Sequence, residues 1–344
     1  DYNGHIFWDS ELWMFPPMLL LNKGIAESMI DYRIDRLMAA RKKAMAYGFK
    51  GAMFPWESDD YGEESTPTFA LTGPLEHHIT ADISIACWNY YCLTRDGQWL
   101  RTKAFPLMKA VADFWVSRVT RNDDGSYSIC NVVGADEYAN GVDDNAFTNG
   151  AAIRALEYAC EAARICNEPV PEIWEEVGKG IRILRFKDGV TREHATYNGE
   201  MIKQADVNLL GYPLYFVGDA ESQKKDMEYY IDKIDPQNGP AMSYSVFCVQ
   251  YARMGDAKRA YEMFCRCYQP NLRSPFGVLE TPTSDNPYFM TGAGGLLQAV
   301  INGFCGLQIT DGGVEQLSSV LPAHWKKVTV KGVGPEKKMY VRER

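Results

Sequence analysis

Amphipathic segments of helical length, separated by glycine, proline and aspartate, run through most of this chain. In residues 24–47 apolar side chains recur at helical spacing, and the pattern stops at Gly48. Similar patterns cover residues 10–21, 77–94, 97–120, 145–167, 171–184, 205–217, 220–232, 241–254, 256–268 and 292–304. After Gly306, residues 307–310 and 328–330 alternate like strands. The sequence therefore predicts a mainly α chain of about eleven helices followed by a short β tail.

Long loops separate some of these helices. The loop at residues 51–73 is rich in glycine, proline, serine and acidic residues, and a loop of this length without periodicity is typical of a functional segment. A second loop spans residues 273–288. Paired helices with long loops predict a ring of helical hairpins whose inner helices face a pocket.

Composition and charge argue against several kinds of partner. The chain of 344 residues has a net charge of −9, and its longest basic run is Arg41 to Lys43, whereas nucleic-acid binding needs clustered cations. The best apolar run, residues 12–21, is too short to cross a membrane and contains two prolines. The nine cysteines lack metal-ligand spacing, so we interpret them as reduced, mostly buried thiols. We expect no nucleic acid, membrane, metal or cofactor.

Two glutamates lie in turns between predicted helices. Glu137 follows Gly134, and Glu280 follows Gly277. Two carboxyl groups that face each other across a pocket can cleave a glycosidic bond, because one protonates the leaving oxygen and the other activates water. Asp136 is the alternative acid, although it more simply orients the turn. If both glutamates only cap helices, the chain would be an idle binding or scaffold domain.

Four other segments combine aromatic and polar side chains that suit a sugar, by stacking on its ring or by bonding its hydroxyl groups. Their candidate residues are Trp8, Asp9, Trp56, Glu57, His78, Lys203 and Gln204. Each segment also has a structural interpretation. Residues 54–64 would form a solvated acidic loop, and Asp9 or Ser10, the cluster at 76–78 and Asp206 would cap helices.

A glycine-rich segment, residues 292–295, opens the last predicted helix. A phosphate-binding loop is a weak interpretation, because no Lys-Ser/Thr follows and no strand precedes it. Small residues that let two helices approach closely are the favoured interpretation.

Six segments, taken in order, resemble glycoside hydrolase family 65. They are residues 4–11 (GHIFWDSE), 51–57 (GAMFPWE), 76–78 (EHH), 134–138 (GADEY), 203–206 (KQAD) and 291–295 (TGAGG). The family contains inverting phosphorylases of maltose, kojibiose and trehalose, and also hydrolases. The resemblance covers nearly the whole chain.

The resemblance implies a domain organisation. Residues 1–306 would form an (α/α)6-barrel catalytic domain whose first helix is missing, and residues 307–344 would begin a C-terminal β domain. The family's N-terminal β-sandwich would be absent from this chain. Because members of the family often dimerise, a homodimer is also expected.

The resemblance assigns roles to individual residues as well. Glu137 would be the general acid. The non-reducing glucose would be held by Trp8, Asp9, Trp56, Glu57, Lys203 and Gln204, with His78 and Tyr138 as further candidate contacts.

The segment that follows Glu280 departs from the family's phosphorylases. They carry Thr-x-Glu-Gly-Ile-His and a serine-rich phosphate loop, whereas residues 283–290 read TSDNPYFM here. Asp285 would repel phosphate, and Glu280 stands where a hydrolase needs its base. The pattern is closer to the family's hydrolases of α-1,2-linked glucosides, which are the kojibiose hydrolases and the glucosidase acting on glucosyl-galactosyl-hydroxylysine.

The resulting prediction is an inverting, exo-acting hydrolase of a small-molecule α-glucoside such as kojibiose. Glu137 would carry a proton and donate it to the glycosidic oxygen, while Glu280 would deprotonate the attacking water. Because that water needs room, the two carboxyl groups should lie roughly 6.5–9.5 Å apart. The alternative is a phosphorylase of the same family that releases β-glucose 1-phosphate.

Overall fold

Helices make up most of the described chain. A computed structural model describes residues 2–216, 219–274, 277–286 and 288–344. The α-helices are α1 (Phe15–Leu21), α2 (Lys23–Asp35), α3 (Leu37–Ala46), α4 (Thr72–Leu75), α5 (His78–Thr94), α6 (Gly97–Trp99), α7 (Phe105–Arg118), α8 (Ala146–Cys166), α9 (Glu172–Gly180), α10 (Ala220–Tyr230), α11 (Ser243–Arg253), α12 (Ala257–Arg266) and α13 (Met290–Gln298). Wider π-type turns extend α1, α7 and α13 at Ser10–Met14, Leu100–Ala104 and Ala299–Phe304. Short 3-10 turns lie at Tyr2–Gly4, Val207–Leu210 and Gln269–Asn271.

Most predicted helices are confirmed, and two differ. The segment 24–47 is divided at Arg36, whose backbone leaves the helical region (φ −104, ψ 13) and separates α2 from α3. The helix predicted over 205–217 is wrong, because only Val207–Leu210 forms a 3-10 turn. Gly211 and Pro213 follow at once, and both disfavour continuation of a helix. Residue 217 lies outside the described residues.

The chain divides into two compact units. The first comprises Asp1–Trp8, Ser28–Tyr91 and Arg95–Gly199, and the second comprises Asp9–Glu27, Cys92–Thr94 and Glu200–Arg344. In the first unit α7 packs against α8 and α8 against α9, and in the second unit α11 packs against α12. Consecutive helices therefore pair as the hairpin pattern predicts. The (α/α)6 barrel itself stays a prediction.

The strands form antiparallel pairs. They are β1 (Thr120–Arg121) with β2 (Tyr127–Ser128), β3 (Leu272–Arg273) with β4 (Gly277–Val278), β5 (Leu307–Thr310) with β6 (Gly313–Gln316), and β7 (Lys327–Val333) with β8 (Lys338–Glu343). The predicted strands at 307–310 and 328–330 are confirmed. They do not pair with each other, because each has its own partner strand in a hairpin. Neither partner strand is predicted from the sequence.

The two C-terminal hairpins share a hydrophobic core with the helices of the second unit. Leu307, Val330 and Val333 are buried together with Leu20 and Ile301. This core extends across the predicted domain boundary at residue 306. The start of a separate C-terminal β domain therefore stays a prediction.

Two expectations about the whole chain can be compared with the structure. Seven of the nine cysteines are buried, and the described residues contain no disulfide, so the prediction of reduced, mostly buried thiols is confirmed. Among the described residues, we find no helix with the length and apolar character needed to cross a membrane.

Candidate functional site

Trp8 and Trp56 form an aromatic platform in the first unit. Their rings stack with centroids 6.2 Å apart, at an interplanar angle of 30°. The ring of His78 meets Trp8 edge-on at 4.8 Å, and Phe147 packs against His78 at 4.9 Å. Trp8 is 2% exposed and Trp56 is 5% exposed. A sugar could therefore contact only a narrow margin of either ring.

Both ring nitrogens of His78 are bonded to buried carboxylates. Nδ1 lies 2.8 Å from Oδ2 of Asp82, and Nε2 lies 2.9 Å from Oε1 of Glu76. Neither nitrogen is left for a substrate hydroxyl. We therefore correct the prediction that His78 binds sugar, because its ring instead supports Trp8 and Trp56.

His77 does not cap helix α5 through its side chain. Nε2 donates to the carbonyl oxygen of Pro74 at 2.8 Å, and Nδ1 accepts from Nε of Arg118 at 3.1 Å. The predicted capping role of this histidine pair is wrong, since both rings are bonded within the unit.

The adjacent histidines hold protons very differently. Burial lowers the pKa of His77 to about 3, and the Arg118 cation acts in the same direction. Burial alone would also lower the pKa of His78, but the carboxylates of Asp82 and Glu76 outweigh it and raise that pKa to about 10. Burial raises the pKa of Asp82 as well, so Asp82 competes with His78 for a proton. We assign the proton to His78, because two carboxylates contact its ring.

Glu57 lies beside the N-terminal segment of the first unit. Its Oε1 is 2.7 Å from Nδ1 of His5, and the residue is 6% exposed. Next to it, Ser58 forms an antiparallel bridge with Ile6, with backbone hydrogen bonds of 2.9 Å in both directions. Two segments identified in the sequence, residues 4–11 and 51–57, therefore meet here.

The turn that carries Glu137 is closed at its base by a bridge between Val132 and Val142. Asp136 is 3% exposed, and its Oδ1 accepts from the backbone nitrogen of Tyr138 at 3.2 Å. Glu137 is half-buried and Tyr138 is exposed. Asp136 thus orients the turn as expected, which favours Glu137 as the candidate acid.

Asp144 fixes the end of this turn. The residue is 1% exposed, and its carboxylate accepts from Ser128 Oγ at 3.0 Å and from Arg182 at 2.7 Å. The Ile129 nitrogen and the Asn149 amide donate to its other oxygen at 3.3 and 3.2 Å. A buried carboxylate with these donors gives the turn that carries Glu137 a rigid attachment.

Asp9 is bonded across the second unit. Its Oδ2 accepts a hydrogen bond from Oγ1 of Thr291. Its side chain makes no capping hydrogen bond to the turn at Ser10–Met14, so the capping interpretation of Asp9 is wrong.

The glycine-rich start of helix α13 packs closely on the turn at Ser10–Met14. A Cβ atom on Gly294 would lie 2.5 Å from the carbonyl oxygen of Trp13. In the next turn of α13, the Gln298 amide donates to the carbonyl oxygens of Leu12 and Trp13 at 2.9 and 2.8 Å. These contacts confirm the close-packing interpretation of residues 292–295.

Glu280 lies in a turn clamped by asparagines. The Asn271 side chain donates to the carbonyl oxygens of Leu279 and Glu280 at 3.1 and 2.9 Å. The backbone nitrogen of Ala241 also donates to the Glu280 carbonyl oxygen, at 3.0 Å. The Asn286 amide donates to Oε2 of Glu280 at 2.9 Å, which orients the carboxylate. Residues 275, 276 and 287 of this loop lie outside the described residues.

Lys203 and Gln204 precede the 3-10 turn of the second unit. Gln204 is 2% exposed and Lys203 is half-buried. The next backbone nitrogen, of Ala205, donates to Ser243 Oγ at 3.0 Å and attaches the segment to helix α11. Asp206 makes no capping hydrogen bond to the 3-10 turn, so its predicted capping role is wrong.

The candidate residues fall in two groups. The first unit contains Trp8, Trp56, Glu57, His78, Glu137 and Tyr138, and the second contains Asp9, Lys203, Gln204 and Glu280. The pairing of Glu137 with Glu280 stays a prediction. Across the described ranges, no group of three or more His, Cys, Asp or Glu side chains could hold a metal ion.

Comparison with protein families decides the classification. Residues 1–180 match the central catalytic domain of glycosyl hydrolase family 65. The chain belongs to this family. The match contains the aromatic platform, Glu57 and Glu137, whereas Glu280 lies beyond it. Seven of the ten candidate residues therefore lie within the region that matches a family 65 catalytic domain, and Lys203, Gln204 and Glu280 lie beyond it.

Relatives of this family 65 chain extend over nearly its whole length. It is 53% identical over 341 residues to a kojibiose hydrolase of Mucilaginibacter mallensis, covering 99% of this chain and 50% of the relative. It is 54% identical over 342 residues to one of Flavobacterium johnsoniae, with the same two coverages. A kojibiose phosphorylase of Thermoanaerobacter brockii is 31% identical over 388 residues, covering 96% of this chain and 49% of the relative. The chain thus spans about half the length of these curated relatives.

A solved structure shares the fold of the chain. A protein from the human microbiome, provisionally described as a kojibiose phosphorylase, superposes with a TM-score of 0.80 at 19% identity, covering 99% of this chain and 55% of that one. At this identity the likeness concerns the fold alone.

Several residues that fix the candidate site were missed in the sequence. They are Lys43, Glu64, Asp144, Asn271 and Thr291. Their partners lie as far as 282 positions away, so local spacing cannot reveal them. Signals were available for two of them, since Glu64 lies in the long loop already identified as functional and Thr291 begins the family segment 291–295.

Proposed function

We propose that this family 65 chain is the catalytic part of an inverting, exo-acting hydrolase of α-1,2-linked glucosides such as kojibiose. The observation that carries the proposal is identity of 53% and 54% to two kojibiose hydrolases over 99% of the chain. Identity to a kojibiose phosphorylase is lower, at 31%. Asp285, in the segment where phosphorylases carry their phosphate loop, adds a carboxylate that would repel phosphate, although Nη1 of Arg273 lies 3.8 Å from its Oδ1.

In the proposed reaction Glu137 is the general acid. It donates its proton to the glycosidic oxygen as the bond to the anomeric carbon breaks. Glu280 is the base that takes a proton from water, and that water attacks the anomeric carbon from the opposite face. The product is β-glucose. The Asn286 amide supports this role, since its N–H donates to the Glu280 carboxylate and so favours the ionised form, which can accept a proton from water.

The remaining candidate residues would bind the terminal glucose. Trp8 and Trp56 offer the margin of an aromatic surface, and carboxylates at Asp9 and Glu57 would accept hydrogen bonds from sugar hydroxyls. Each carboxylate already has a partner that sets its direction, Thr291 for Asp9 and His5 for Glu57. Further proposed contacts come from Tyr138, Lys203 and Gln204.

The finer architecture is also a proposal. The helical hairpins of residues 1–306 would contribute to an (α/α)6 barrel, and residues 307–344 would begin a C-terminal β domain. The pairing of α7 with α8 and of α11 with α12 supports the first part. The family resemblance supports a homodimer of the full-length protein, which analytical ultracentrifugation would detect as twice the monomer mass.

Product analysis tests the proposed activity. The full-length protein is incubated with kojibiose in the presence and absence of inorganic phosphate, and products are followed by NMR. We expect free glucose at the same rate under both conditions, with the terminal residue released first as the β anomer. Phosphate-dependent release of glucose 1-phosphate would identify a phosphorylase and remove Glu280 from the role of base. Release of the α anomer would exclude inversion.

A further inference from the structure

Glu64 is the hub of the loop that carries Trp56 and Glu57. Its Oε2 accepts from the backbone nitrogen of Trp56 at 2.9 Å, and its Oε1 accepts from that of Glu57 at 3.1 Å. Oε1 also accepts from the nitrogen and hydroxyl of Thr66, at 3.2 and 2.6 Å. One carboxylate therefore bonds both residues of the proposed glucose-binding pair and the returning end of the loop.

Lys43 holds this carboxylate in place from helix α3. Its Nζ donates to Glu64 Oε2, and also to the carbonyl oxygens of Phe54 at 3.5 Å and Gly73 at 3.3 Å. The ammonium thus ties both ends of the loop to one helix. The side chains of Lys43 and Glu64 are 10% and 21% exposed, so water solvates neither charge well. Each charge is compensated mainly by the other.

The charge on Lys43 depends on this partner. Burial lowers the pKa of Lys43, and the Glu64 carboxylate acts against that shift. Removal of the Glu64 carboxylate would therefore free the backbone amides of the loop. It would also lower the pKa of Lys43, whose ammonium joins the two ends of the loop.

We propose that Glu64, anchored by Lys43, is the positioning residue that fixes Trp56 and Glu57 for glucose binding. The inference rests on the proposed function, because Trp56 and Glu57 are glucose contacts only within it. Glu64 itself touches no substrate in this account. It acts through the two backbone amides that it holds.

The variant Glu64→Gln tests the inference, with Glu63→Gln as its matched control. Glutamine keeps the shape of Glu64 but replaces one acceptor oxygen by an NH₂ group, which would face backbone N–H donors or the Lys43 ammonium. Glu63 is the exposed neighbour on the same loop and changes the net charge by the same amount. Dissociation constants for glucose are measured by calorimetry on the full-length protein, together with KM and kcat on kojibiose.

We expect Glu64→Gln to raise the Kd for glucose and the KM for kojibiose about ten-fold, because charge-assisted hydrogen bonds are lost. The kcat should change by less than about threefold, since glucose is held in both the ground state and the transition state. Hydrogen exchange at the amides of Trp56 and Glu57 should accelerate. The control variant should leave all of these quantities unchanged.

Two results would overturn the inference. One is a folded Glu64→Gln protein that binds glucose as the wild type does, and the other is an equal loss in Glu63→Gln. If Glu64→Gln does not fold, Thr66→Val removes a single donor to the same carboxylate and should raise the Kd a few-fold, whereas no rise would again overturn the inference.

The glucose-binding measurement also separates this inference from the proposed function. A wild-type protein that binds glucose but releases none from kojibiose contradicts the proposed activity, and the Kd comparison still decides the role of Glu64. A wild-type protein that binds no glucose contradicts the inference.

Discussion

Thr291 donates a hydrogen bond to the carboxylate of Asp9, 282 positions earlier in the chain. Each residue belongs to a segment of the family 65 pattern, Asp9 to residues 4–11 and Thr291 to residues 291–295. The contact joins the two segments, and the threonine sets the direction of a carboxylate proposed to bind glucose.

Removal of this hydroxyl tests its role. We expect Thr291→Val to raise the KM for kojibiose about ten-fold with little change in kcat, because a hydrogen bond to a charged group is lost. Thr102→Val is the matched control, since the Thr102 hydroxyl bonds only the exposed backbone of its own helical segment at Gln98. Steady-state kinetics on both variants provide the comparison. An unchanged KM in Thr291→Val would show that Thr291 does not orient Asp9 for glucose binding.

The contact of helix α13 with the turn at Ser10–Met14 leaves no room for a side chain at Gly294. We expect Gly294→Ala to lower the free energy of unfolding by about 1–3 kcal/mol, because its Cβ would press on the Trp13 carbonyl oxygen. Gly97→Ala is the control, since no atom lies within 4 Å of its added Cβ. Urea denaturation should show a lower midpoint for Gly294→Ala than for the wild type. The midpoint of Gly97→Ala should be unchanged or slightly higher. Equal midpoints for Gly294→Ala and the wild type would contradict this prediction, since they would show that helix α13 can shift to admit the Cβ atom without loss of stability.

His77 should make the protein less stable in acid. Its pKa falls from 6.5 to about 3 on folding, so the unfolded chain binds the proton first as the pH decreases. The resulting loss of stability is absent above pH 6.5 and grows between pH 6.5 and about 3, by at most about 1.4 kcal/mol per pH unit. Urea midpoints of the wild type and of His77→Gln are compared at pH 7 and pH 5. Between pH 7 and pH 5 the His77→Gln variant should lose less stability than the wild type. Equal losses would show that His77 does not cause the loss of stability in acid.

His78 should act in the opposite direction. Its pKa rises from 6.5 to about 10 on folding, so its contribution is complete below pH 6.5 and is lost as the pH rises through about 10. Asp82→Asn removes one of its two carboxylate partners and should lower that pKa. The stability that His78 loses above pH 6.5 should then be smaller, and the loss should be complete at a lower pH than in the wild type. NMR titration of the His78 ring gives the direct measurement, and an unchanged pKa would show that Asp82 does not hold the proton on His78.

Local patterns predicted most of the helices because packed faces repeat every three to four residues. They failed at 205–217, where Gly211 and Pro213 end a single 3-10 turn, and at Arg36, where one non-helical residue divides a long segment. Neither interruption changes the apolar periodicity on which the prediction rests.

The candidate site was predicted less completely than the fold. Family segments identified Glu57 and Asp9, but the partners that orient them, His5 and Thr291, follow from tertiary contacts. The same holds for Glu64, which reads as one more charge in an acidic loop. His78 shows the reverse error, since a motif residue in a segment predicted to bind sugar is bonded on both nitrogens to buried carboxylates.

The assignment of Glu137 as general acid is the central claim, and leaving-group dependence tests it most directly. Hydrolysis of α-glucosyl fluoride needs little proton donation because fluoride leaves as an anion, whereas kojibiose releases a sugar alkoxide that must be protonated. Rates are measured on both substrates for the wild type, Glu137→Gln and Glu280→Gln. We predict that Glu137→Gln loses about 10²–10⁴-fold on kojibiose and retains most of its activity on the fluoride, while Glu280→Gln fails on both. An equal loss of both activities in Glu137→Gln would contradict the claim.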